Sequence, residues 1–146
     1  MNICESLKDN KCSECDNRKI IIAKENKCSF RLINHKLFEI CKLKIDNCYF
    51  QTGRKCDFAI FICKLKIVFL VELKGSDFMK AITQIDETIN KMKNKLIDFT
   101  IKGRIVLTKV NVPDIRNDPK VYKLEKKLRN SKGDLKYGTI MLIENI

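Results

Sequence analysis

RKCDFAIFICKLKIVFLVELKG, residues 54–75, contains two apolar runs separated by a polar break at 64–66. The runs, 57–63 and 67–73, are rich in Ile, Val and Phe, side chains that pack well on a pleated surface, so both read as strands. The first run opens on Asp57; the second ends near Glu72, with Lys74 just beyond. Side chains two apart on a strand share a face, so Glu72 and Lys74 stand together. In a hairpin, a two-residue loop at Lys64 and Leu65 sets Asp57 opposite Glu72, and one at Leu65 and Lys66 sets it opposite Lys74. Either register gathers the three charges on one face at one end of the hairpin. A three-residue loop would not, and the turn has no Gly or Asn to fix its type.

These charges adjoin FAIFI and IVFLV, in a sheet that reads as buried on both faces. Charges there are costly unless they are paired or bind a metal. Two carboxylates with backbone oxygen nearby make a hard, all-oxygen site of the kind that takes magnesium or manganese. A lysine beside them can orient an attacking water and stabilise developing phosphate charge. On spacing alone, a strand-end ion pair of Asp57 or Glu72 with Lys74 fits equally well.

An acid on one strand, an acid-x-Lys on the next and then a helix resembles the PD-(D/E)xK nuclease superfamily. The matching elements are Cys56-Asp57, in place of Pro-Asp, and Glu72-Leu73-Lys74, followed by a helix carrying Gln84. The surrounding KCDF, FLVELKGSD and AITQI also resemble small proteins of that superfamily, and the resemblance spans roughly residues 37–112. It implies a restriction-endonuclease-like α/β fold: a mixed sheet flanked by helices, with an αβββαβ core and a C-terminal helix and strand. It also implies that Asp57, Glu72 and the Leu73 carbonyl hold Mg2+ or Mn2+, that Lys74 serves the attacking water, and that Gln84 supports them. Many relatives add an acid from the helix before the first strand. Glu39 is the residue here that could join the metal shell, although a solvated glutamate fits the same pattern.

At 146 residues, 45% of them apolar, the chain reads as one globular domain. No apolar run approaches the roughly 20 residues of a membrane span, and MNICESLKDNKC lacks an apolar signal core, so a cytoplasmic location is expected. A formal net charge of +12 calls for a polyanionic partner, DNA first. A lysine-rich genome would raise the charge in the same way. No basic amphipathic helix with an aromatic face stands out, which disfavours a membrane partner.

All eight cysteines lie in the first half, and residues up to about 33 read as a Cys-rich N-terminal extension. Cys12 and Cys15 form a C-x2-C pair that Cys4 and Cys28 could complete as a structural zinc site. Buried free thiols and disulfides are the alternatives. His35 is the only histidine, which excludes chemistry needing two.

Elsewhere, 18–24 reads as a short strand, 29–42 as a helix and 43–50 as the first core strand. Asp46 in that strand has no obvious partner. The clearest helix is 76–99, with Phe78, Ala81, Ile82, Ile85, Ile89, Met92, Leu96 and Phe99 along one face, and Gln84 just off it. A buried strand at 104–112, stopped at Pro113, should lie parallel to the second hairpin strand, because a helical crossover joins them. Asp118 and Pro119 open a second helix to about Arg129, and 137–143 is the last strand. The expected function is a metal-dependent endonuclease hydrolysing DNA. A non-catalytic nucleic-acid-binding module and a Holliday-junction resolvase, which would act as a homodimer, are the alternatives.

Overall fold

The hairpin lies at the centre of the molecule. In this computed structural model, which describes residues 2–73, 75–109 and 118–146, β5 (Phe58–Ile62) and β6 (Ile67–Leu73) pair antiparallel. They form the middle of a six-stranded sheet ordered β1-β4-β5-β6-β7-β8. The pairing Phe58↔Val71 and Ile62↔Ile67 is the register that carries Asp57 towards Glu72. The link is longer than a two-residue loop: a 3-10 turn over Cys63–Leu65, then Lys66 at φ 54. That left-handed lysine does the work usually given to Gly or Asn.

Both faces of the hairpin are covered, as its unbroken apolar runs imply. Ala59, Phe61, Val68 and Leu70 pack under three helices: α1 (Ile3–Lys8), α2 (Phe78–Lys91) and α3 (Pro119–Asn130). Ile60, Ile62, Phe69 and Val71 pack against a second, three-stranded sheet. This sheet consists of β2 (Ile20–Glu25), β3 (Cys28–Ile33) and β9 (Met141–Asn145). Helices, large sheet and small sheet thus make three layers. Each large hairpin side chain gains about 1.5–3 kcal/mol from burial.

β7 (Thr100–Leu107) runs parallel to β6, as the helical crossover requires. It begins four residues before the expected strand, and Pro113 lies outside the described residues. α2 starts behind an Asp77 cap that accepts from the Lys80 amide, but it stops at Lys91. The rest of the apolar stripe, Met92, Leu96 and Phe99, is buried on successive turns instead. α3 opens on Asp118 and Pro119 as expected.

Three expectations fail. The 29–42 segment is not a helix but the end of β3, a turn, and the start of β4 (Ile40–Lys44). Asn34 fixes that turn: its side chain donates to the Arg18 and Phe38 carbonyls and accepts from the Phe38 amide, while Leu37 takes φ 54. The 43–50 segment is strand only to Lys44 and then turns. The last strand is two strands. β8 (Leu135–Thr139) lies parallel to β7, and β9 lies parallel to β3, with Ile140 at φ 66 between them.

The zinc quartet is not assembled either. Cys4 is bonded to Cys63, Cys12 to Cys48 and Cys15 to Cys41, while Cys28 is a buried free thiol in the small-sheet core. The reason is the placement of β1 (Ser13–Asp16), which pairs with β4 and sets Cys15 directly across from Cys41. The N-terminal stretch is therefore built into both sheets rather than appended to them. Each disulfide contributes about 3–4 kcal/mol in the chain-entropy picture.

Candidate active site

Asp57 lies one residue before β5, where the ladder changes step. Its amide donates to the Val71 carbonyl (3.1 Å), although Val71 is already the partner of Phe58. Two residues against one is the arrangement of a β-bulge, which re-aims a side chain. The face pattern agrees. Strict alternation from Ala59 and Phe61 would send Cys56 to the small-sheet side, yet Cys56 sits in the helix-side core. On the other flank the Asp57 carbonyl accepts from the Ile45 amide (2.9 Å), so the bulge is held from both neighbouring strands.

The re-aimed carboxylate meets the backbone next to Glu72. Asp57 Oδ2 accepts the Leu73 N–H at 2.7 Å, and Asp57 and Glu72 are both fully buried. Glu72 belongs to the central strand and shares a face with Val68 and Leu70, so it stands under α2. The two acids come together as the hairpin register requires, but through the bulge rather than as squarely opposed residues. Lys74 lies outside the described residues.

Gln84 enters from α2. It is 8% exposed, and its Oε1 has no hydrogen-bond partner among the described residues. Thr88, one turn further on, pins this part of the helix to the site. Its hydroxyl accepts the Cys56 N–H (2.8 Å) and donates to the Gln84 carbonyl (2.8 Å). Residue 56 on the bulge and residue 84 on the helix are thus bridged by one hydroxyl.

The electrostatics of the cysteines report the same cluster. Burial pushes the Cys56 thiol far above its usual range. The Thr88 hydrogen bond opposes that rise, and the charges of Glu72 and Asp57 add to it. Cys28 is raised too, by burial and then by Asp57. Both are held as neutral thiols, so neither is a nucleophile or a metal-ready thiolate at neutral pH.

Lys55, two residues before Asp57, is a buried cation that the sequence reading overlooked. It is 8% exposed, donates to the Gly53 carbonyl (2.9 Å) and pairs with Asp46 at 3.6 Å. Asp46 therefore occupies a turn beside the site, bound to a buried lysine two residues before Asp57. The signal available was the basic pair Arg54-Lys55 directly preceding a buried acid.

Glu39 is not brought to the site. It follows the Asn34 turn, is exposed, and pairs with Lys8 at 3.3 Å. Continuing the β4–β5 register places it across from Cys63, at the turn end of the hairpin. Asp57 is six residues away along the strand, about 20 Å. Among the described residues no group of three or more His, Cys, Asp or Glu side chains could by itself hold a metal. The oxygen set at the bulge is two carboxylates and the backbone, and Gln84 is carried on the helix that Thr88 ties to it. The chain matches no protein-family model, no curated protein and no solved structure.

Proposed function

We propose that this chain is a divalent-metal-dependent nuclease that hydrolyses DNA phosphodiester bonds, on a restriction-endonuclease-like fold. The observation that carries the reading is the Asp57 carboxylate seated on the Leu73 amide beside buried Glu72, under the helix bearing Gln84. The order β4, hairpin, α2, parallel β7 supports the fold assignment. The net charge of +12 supports a polyanionic substrate.

The donor chemistry suits magnesium or manganese. Asp57, Glu72 and the Leu73 carbonyl are hard oxygens, and Gln84 adds a buried amide oxygen with no partner among the described residues. The nearby sulfur of Cys56 stays protonated and does not compete. When bound, the ion would polarise the scissile phosphate and acidify the attacking water.

The chain's own groups do the positioning. The Leu73 N–H fixes the rotamer of Asp57, so the carboxylate need not be ordered when the substrate binds. Thr88 holds α2 at a set distance from the bulge and Gln84 with it. Lys74 would align the water and offset charge on the phosphate. Apolar layers above and below the hairpin keep bulk water from the buried side of the site.

A nucleic-acid-binding module without turnover is the competing reading. One observation favours it: Asp57 Oδ2 is already engaged by a backbone amide. Thermal melts separate the two. A site that binds manganese stabilises the native state by about 2.7 kcal/mol at a hundredfold excess over Kd, which at this chain length is about 5–10 °C. Calcium should also stabilise the fold while supporting little cleavage. No shift with magnesium, manganese or calcium would mean that Asp57, Glu72 and Lys74 form an ion-pair cluster.

A further inference from the structure

Gln84 also lines an open cleft of about 350 Å³. Its other walls come from three separate parts of the chain: Arg54 from the loop before Asp57, Lys80 and Thr83 from the start of α2, and Lys120 from the first turn of α3. The acid among the lining residues, Asp77, is the cap of α2 and accepts from the Lys80 amide at 2.9 Å. Arg54, Lys80 and Lys120 are exposed, and none is in an ion pair with another described residue.

Among the described residues, three cations face one capped carboxylate, so this concavity is positive. Two helices also begin here, and helix N-termini present unbonded N–H groups and the positive end of the dipole. Gln84 is the one buried residue among the described residues lining the cleft, and the cations stand exposed around it.

We propose that this cleft holds a phosphate of a DNA strand that runs on past Asp57 and Glu72. The strand then reaches the site along the starts of α2 and α3. The inference rests on the nucleic-acid reading of the site, but not on turnover.

The test is binding in EDTA, by fluorescence anisotropy across a salt series. Wild type is compared with Lys80→Ala/Lys120→Ala and with Lys24→Ala/Lys136→Ala, a control that removes the same charge from exposed positions on β2 and β8. Each variant is first matched to the wild-type melting temperature. The probes are one oligonucleotide sequence with a 5′-hydroxyl, with a 5′-phosphate, and as a circle. The cleft variant should lose about tenfold in affinity, and its log–log salt slope should become shallower by about 1.5–2, while the control changes little. Equal loss on all three probes assigns a backbone phosphate; loss confined to the 5′-phosphorylated probe assigns a terminal one. Both outcomes support the cleft. Equal losses in the cleft and control variants, or no salt-sensitive binding by wild type, overturn it. Cleft-dependent binding without metal-dependent nicking removes the nuclease reading and leaves this inference standing. Nicking with no cleft effect on binding does the reverse.

Discussion

Thr88 offers the sharpest test of how the site is held. Its side chain is fully buried, and its hydroxyl accepts the Cys56 N–H and donates to the Gln84 carbonyl, both at 2.8 Å. Thr88→Val keeps the shape and removes both bonds. The Gln84 carbonyl retains its place in the helix ladder, so the loss falls on the Cys56 N–H, a buried donor next to Asp57. Leaving such a donor unsatisfied costs about 1–3 kcal/mol. The added methyl returns up to about 0.8 kcal/mol of that. The net cost, about 1 kcal/mol at the middle of the resulting range, corresponds to a fall of about 2–4 °C in Tm at this chain length. Urea unfolding and thermal melts measure it, and metal-dependent cleavage should fall in parallel as the segment carrying Asp57 loosens from α2. Thr88→Ser retains the hydroxyl and should recover most of both. A Thr88→Val protein as stable as wild type, or a serine variant less stable than the valine one, would refute the bridging role.

Two further expectations concern stability. Cys28 and Cys56 stay protonated in the fold above the pH near 8.5 at which an exposed thiol ionises, so unfolding releases protons there. Their contribution is complete below that pH and is lost as pH rises, at up to about 1.4 kcal/mol per pH unit per thiol. Cys56→Ala should flatten the slope between pH 9 and 10, and an unchanged slope would count against a buried neutral thiol. Arg104, fully buried on β7, binds Glu144 through two bonds of 2.6 and 2.9 Å and reaches Asp134 at 2.8 Å. Arg104→Met strands the Glu144 carboxylate and should cost about 3–5 kcal/mol, with Glu144→Leu restoring much of it in the double variant; denaturant titration of the three proteins decides.

The central hairpin and α2 were legible because their signals are local and strong. Apolar runs of Ile, Val and Phe can be buried only as strands covered on both faces, and the α2 stripe repeats at helical spacing. The 29–42 stretch misled for a physical reason. Phe30, Ile33, Leu37, Ile40 and Cys41 fall by chance on one helical stripe, whereas the turn depends on Asn34 reaching the carbonyl of Arg18, sixteen residues back. The zinc reading failed in the same way, since Cys15 meets Cys41 only through the β1–β4 pairing. At the site, strand pattern pointed to Asp57 and Glu72, and the resemblance to the nuclease superfamily added Gln84. The bulge, the Leu73 amide under Asp57 and the Thr88 bridge were hidden, because each arises from contacts between segments far apart in sequence. Glu39 was misplaced because its helix does not exist.

The central claim is that the acids at the bulge form a metal-dependent hydrolytic site. Nicking of supercoiled plasmid by wild type, Asp57→Asn and Lys74→Ala, in magnesium and in EDTA, tests it most directly. Salt-sensitive DNA binding is measured on the same preparations. The account predicts nicking by wild type in magnesium alone, and none by either variant, with DNA binding largely retained in both. Full activity in either variant, or equal nicking by wild type in EDTA, would contradict it.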